Sequence, residues 1–194
     1  MTTRFISREK QTGFTLVELL LVAIILAILA AIVVPQFASS TDDATDSALR
    51  SNLSAIRGAI DLYTQQHGGS FPGSTAALTT GCPGGTGGVA ADVAGTETAL
   101  TKQLTHYTNA AGETCSISDD PVGGVVEYPF GPYLKADVFP NNPVTSTNDI
   151  TFVLAGDLAM GGGDATAWRY DTTSGKFIAD QNVQDGNGVF YDTY

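Results

Sequence analysis

From Leu19 to Val34 every residue is apolar, and this uninterrupted run constrains the chain more than any other feature. An acid, Glu18, stands immediately before it and a proline, Pro35, immediately after it. Counted from Phe14, the stretch to Val34 is close to the ~20 residues with which a helix spans a bilayer. A secretory signal peptide has an apolar region of only ~7–15 residues, followed by a small-residue cleavage site. Here the run is longer, and the polar segment "PQFASSTDDATDSALRSNL" that follows keeps helical spacing. A membrane helix is the better reading.

Charge is distributed around this run asymmetrically. Arg4, Arg8 and Lys10 precede it with only Glu9 against them, whereas almost all of the 20 acids follow it. Lysine and arginine favour the cytoplasmic side, so the tip stays in and the acidic remainder is translocated. With a net charge of -11, an exported acidic domain is poorly matched to phosphate backbones, and no nucleic-acid partner is expected.

The junction at the start of the run reads "KQTGFTLVE": Gly13, an aromatic Phe14, then Glu18 four residues on. Together with the basic leader and the apolar run, it resembles the class III signal of type IV prepilins and of the pseudopilins of type II secretion. The resemblance implies that a prepilin peptidase removes residues 1–13 by cutting after Gly13 and that the new α-amine of Phe14 is methylated. It also implies that residues 14–37 serve as membrane helix and filament core, with the amphipathic half of the helix at 38–67 and a globular domain at 68–194. The partners implied are other copies of the chain, the membrane before assembly, an inner-membrane platform protein and a cytoplasmic assembly ATPase. The precursor would be a single-pass protein of the bacterial inner membrane with a cytoplasmic N-terminus, and the product a periplasmic or cell-surface filament. The alternative is a minor pilin, or a membrane-anchored binding module that recognises an extracellular ligand.

In that setting Glu18 has a physical use. A charged side chain inside a membrane helix costs ~2.5–3.5 kcal/mol on insertion scales and generally faces a partner rather than lipid. Cleavage creates an α-amine, with a pKa near ~8, against which a carboxylate on a neighbouring subunit can register. The competing reading is a glutamate that snorkels to the membrane surface. Pro35 removes one backbone donor and crowds the preceding turn, so a helix that continues past it carries a defect near Ile32 to Pro35. The alternative is a helix that ends at Val34.

Beyond the run, Leu49, Leu53, Ile56, Ile60 and Tyr63 recur at steps of four and three and predict one apolar helix face between Asp42 and His67. Arg50, Ser54, Arg57 and Asp61 fall on the opposite face, and Gly68 and Gly69 suit the helix end. His67, at that end, lies where the helix dipole favours an imidazolium. A second, short helix is predicted over Glu97 to Thr108. Strand character appears in "GVVEYPF", "ITFVLAG", "AWRYD" and "GKFIAD", with "DTTSG" as a hairpin connection. The sum is α+β: a long N-terminal helix packed on a small antiparallel sheet, a pilin-like arrangement. Tyr63, Gly68, Gly69, Phe71 and Pro72, with "GPYLK" at Gly131 to Lys135, resemble the helix exit and following segment of major pseudopilins. Asn142-Pro143 stands where those proteins carry Asp-Pro, with no Trp-Gly after it.

Cys82 and Cys115 are the only cysteines, and in an oxidising compartment a disulfide between them is expected, the alternative being two separate buried thiols. Major pseudopilins often hold calcium near the C-terminus. Oxygen ligands for such a cation are Asp137, Asn141, Asn142 and Asp149 in one segment, and Asp180, Asn182 and Asp185 in another. "PGGTGG" lacks the Lys-Ser or Lys-Thr of a phosphate loop, the two histidines lie in no zinc pattern, and no nucleophile elbow is present. No catalytic site is expected.

Overall fold

A computed structural model describes residues 13–77, 82, 93–116, 127–135, 138–153 and 166–194, with the backbone alone at 35–39. Helix α1 spans Leu16–Gln66 and runs through Pro35 rather than ending at Val34. The chain divides into two units, Met1–Thr41 and Asp42–Tyr194. In the first, none of the apolar stretch Leu16–Val34 is buried.

The second unit is built on the later part of α1. Leu49, Leu53, Ile56, Ile60 and Tyr63 are all at most 1% exposed, so the apolar stripe read from the spacing is the core face. Each such aliphatic side chain contributes ~1.5–3 kcal/mol relative to remaining in water. The helix stops because Gly68 and Gly69 adopt positive φ, and the Gly69 N–H returns to the Thr64 carbonyl at 2.9 Å, a Schellman-type closure.

Helix α2 covers Glu97–Thr105, capped by the Thr96 hydroxyl accepting from the Ala99 N–H. Leu100 and Leu104 are buried against the core. It is shorter than the spacing predicts because Tyr107–Thr108 becomes strand β1, which pairs antiparallel with β2, Thr114–Cys115, and bridges Phe130. Phe130 is the described end of "GVVEYPF"; positions 121–126 lie outside the described residues.

The main sheet has three strands in the order β3 (Ile150–Val153), β4 (Trp168–Asp171) and β5 (Phe177–Ala179). The α+β arrangement stands, but the sheet is mixed: β3 is parallel to β4, with Ile150 opposite Trp168, while β4 and β5 form an antiparallel hairpin. The hairpin connection is the predicted "DTTSG". The Asp171 carboxylate accepts from the Thr173 N–H at 2.8 Å, and Gly175 sits at φ +72° where a Cβ would come within 2.3 Å of the Phe71 ring. Only glycine fits there. Trp168, Tyr170 and Phe177 bring the sheet onto α1, and a single-turn 3-10 helix, Tyr191–Thr193, follows.

Candidate functional site

At the N-terminal junction Gly13 has nothing within 4 Å of the position of a Cβ, and Phe14 is 79% exposed. Thr15 and Glu18 form a capping box at the start of α1. Glu18 Oε2 accepts from the Thr15 N–H at 2.9 Å and from its hydroxyl at 2.8 Å, while the Glu18 N–H donates to Thr15 Oγ1 at 3.3 Å. The sequence signal for this cap is Ser/Thr-x-x-Glu before an apolar run, a pattern separate from the charge of Glu18. Within one subunit, Glu18 thus has a partner for one of its two oxygens while keeping its carboxylate.

Cys82 and Cys115 are joined as a disulfide. Cys115 lies on β2, buried, opposite Tyr107 of β1. The motifs at the helix exit and at "GPYLK" are brought together in space. The Tyr133 ring meets Tyr63 edge-on at 5.5 Å, its hydroxyl donates to Gln66 Oε1 at 2.7 Å, and the Tyr133 and Leu134 N–H groups both donate to the Leu104 carbonyl. Gly131 permits this approach, since a Cβ there would lie 2.7 Å from the His106 carbonyl oxygen. From the helix-exit segment, the Pro72 carbonyl accepts the buried Tyr170 hydroxyl at 2.9 Å.

Among the described residues, several of the candidate calcium ligands make hydrogen bonds or ion pairs within the protein. Asn142 is fully buried and spends its amide on structure, donating to the Ala167 carbonyl at 2.7 Å and accepting from the Val144 N–H at 2.9 Å. Asn141 offers its main-chain carbonyl to Asn52, and Asp149 offers its own to the Trp168 N–H. Asp180 pairs with Arg169 at 3.1 Å and accepts from Thr166 Oγ1 at 2.7 Å. Asp185 accepts from two backbone amides and the Tyr194 hydroxyl, Asn182 is exposed, and Asp137 lies outside the described residues. Among the described residues no group of three His, Cys, Asp or Glu side chains is placed to hold a metal ion.

Residues 8–34, which carry the junction and the apolar run, match the model of the prokaryotic N-terminal methylation motif. The N-terminal segment carries that methylation motif. Two proteins described as type II secretion system core protein G match the chain. The one from Pseudomonas aeruginosa is 45% identical over 56 residues, 29% of this chain and 39% of that protein. The one from Klebsiella pneumoniae is 40% identical over 55 residues, 28% of this chain and 39% of that protein. The chain therefore spans about two-fifths of the length of these curated relatives. No solved structure matches it.

His67 departs from the sequence expectation. It is 6% exposed, stacked on the Tyr63 ring at 3.7 Å and 7°, edge-on to Phe130 and Tyr133, with Nδ1 2.9 Å from the Tyr63 carbonyl oxygen. Burial pushes its pKa below the ordinary value of 6.5 and outweighs the Tyr63 carbonyl, so the folded domain favours the neutral imidazole. The unfolded chain then binds the extra proton, and stability rises with pH across the interval between the two pKa values. This contribution is complete above pH ~6.5 and is lost as pH falls through the folded pKa. Thermal melts of the wild type and of His67→Gln between neutral and mildly acidic pH isolate it: the wild type should lose midpoint in that window and the variant should lack that component. Parallel pH profiles would refute the assignment.

Proposed function

We propose that the chain is a structural subunit of a type IV pilus-like or type II secretion pseudopilus filament. In this reading it is stored as a single-pass inner-membrane precursor, cleaved after Gly13, methylated on Phe14 and polymerised through its apolar helix. The observation that carries the reading is the coincidence of two features in one segment. The methylation motif covers residues 8–34, and over Leu16–Val34 the helix buries no side chain although the second unit has a core of its own. An apolar surface of that extent needs lipid or other protein around it. Lipid serves the precursor, and copies of the same helix serve the filament.

Association of such helices gains little from the hydrophobic effect, because lipid is as apolar as the bundle, so packing and polar contacts discriminate among arrangements. Glu18 then meets the methylated amine of a neighbouring Phe14, with the capping box holding its carboxylate in place. Pro35, which cannot donate the backbone bond due to the Ala31 carbonyl, supplies a weak point in the helix. A prepilin peptidase, a platform protein and an ATPase complete the machinery, and the filament lies in the periplasm or on the cell surface. Intact-mass and N-terminal sequencing of protein from its native membrane should find a chain that begins at methylated Phe14. A retained leader, or a start after Ser39, would overturn the proposal.

A further inference from the structure

The segment after β5, Asp180–Tyr194, is tied to α1 at three places. The Tyr191 hydroxyl donates to the Asp46 carboxylate at 2.7 Å. Arg50 reaches Asp185 Oδ2 at 3.4 Å, and its guanidinium carbon lies 4.0 Å above the centre of the Tyr194 ring. Arg57 donates to the Phe177 carbonyl at 3.0 Å and to the Tyr194 main-chain oxygen.

At the middle of this fastening sits Asp185, whose side chain is 0% exposed against 57% for Arg50. The turn that it opens is wound around its carboxylate. Oδ1 accepts the Asn187 and Val189 N–H groups, each at 2.8 Å, while Oδ2 accepts the Tyr194 hydroxyl at 2.5 Å and faces Arg50. The main chain closes the turn with Asp185 N–H to Val189 O at 2.8 Å and Gly188 N–H to Asp185 O at 3.0 Å. A buried carboxylate needs a counter-charge and full hydrogen bonding. Calcium would require 6–8 oxygens aimed at one centre. Here N–H and O–H donors occupy the carboxylate oxygens instead, and a guanidinium beside them repels a second cation.

We propose that Arg50 is the resident cation of this turn: stacked on Tyr194 and facing Asp185, it fastens residues 185–194 to α1 and makes the turn independent of metal. The hydrogen bonds from Tyr194, then Val189 and Asn187, hold the Asp185 carboxyl down at about 2, so the acceptor is ionised at neutral pH. Arginine suits the place and lysine does not, because the planar guanidinium covers the ring face while presenting N–H donors sideways to the carboxylate.

The test uses the full chain in detergent micelles, with amide hydrogen exchange and thermal melting recorded in excess chelator and in excess calcium chloride. The wild type should give the same midpoint, and the same slow exchange at Asn187, Val189 and Tyr191, in both. Arg50→Ala should speed exchange at those amides on the order of tenfold or more in both solutions, leaving the β4 amides unchanged, as expected for opening of one local unit. Arg50→Lys should fall between the two. Calcium that raises the wild-type midpoint or slows its exchange would overturn the proposal, as would unaltered exchange in Arg50→Ala. Wild-type exchange in Arg50→Lys would overturn the role of the stacked guanidinium. If Arg50→Ala does not fold, the wild-type comparison and Arg50→Lys still decide.

Discussion

A chain carrying Glu18→Val is expected to insert and be cleaved after Gly13 yet to form few filaments. In lipid the valine is cheaper than the carboxylate by ~2.5–3.5 kcal/mol, so storage improves rather than suffers. In the proposed filament the methylated amine of the neighbouring subunit would lose its counter-charge, and breaking one side of a desolvated pair costs ~3–5 kcal/mol. That corresponds to roughly 10²–10⁴-fold weaker association per subunit. The capping box gives a way to separate charge from helix geometry, because the same carboxylate also accepts from Thr15. Glu18→Gln keeps an acceptor for the cap while removing the charge, and Thr15→Val removes the hydroxyl while keeping the charge. Sheared filaments quantified by immunoblot should be scarce for both Glu18 variants and near normal for Thr15→Val, with full cleavage in all three. Normal filaments from Glu18→Gln would remove the charge-pairing account and leave Glu18 as a helix cap alone.

The parts of the structure that depend on short-range periodicity were legible in the residues. Leu49, Leu53, Ile56, Ile60 and Tyr63 lie on one face because 3.6 residues make a turn, and no other part of the chain is needed to see it. "DTTSG" was legible because the aspartate side chain and the glycine each do a local job in a hairpin. The sheet order was not, since the parallel pairing of Ile150–Val153 with Trp168–Asp171 depends on a crossover of the chain, and alternation within a strand carries no information about the direction of its neighbour. His67 departs from its local expectation for the same reason. Its position at a helix end is local, but the rings of Phe130 and Tyr133 that bury it come from over 60 residues away. Likewise Arg50 and Arg57 fall on the polar face by periodicity, yet Asp185, Phe177 and Tyr194 come to them from the far end of the chain. At the junction the reverse holds: Gly13, Phe14 and Glu18 form a contiguous motif, and what was missed, the Thr15–Glu18 cap, was as local as the rest.

Loss of the Cys82–Cys115 bond is expected to be the most destabilising single covalent change in the domain. The bond joins residues 33 apart in sequence, and in the chain-entropy model closing such a loop restricts the unfolded ensemble by ~3–4 kcal/mol. That is a large share of the ~5–15 kcal/mol by which domains are stable. The loop contains α2 and β1, and its C-terminal anchor is β2. Strands β1 and β2 have two residues each, too short a ribbon to hold together unaided, so the bond acts where pairing is weakest. The buried Leu100 and Leu104 of α2 keep the helix on the core in the folded state whether or not the bond exists. Removing it therefore acts chiefly by enlarging the unfolded ensemble, and the folded contacts should survive at low temperature. A paired Cys82→Ala and Cys115→Ala variant should show near-wild-type circular dichroism when cold and melt roughly 10 °C lower. Reductant should lower the wild-type midpoint to the same value and leave the variant unmoved. A midpoint unaffected by reductant in the wild type would mean that the two cysteines contribute only as buried side chains.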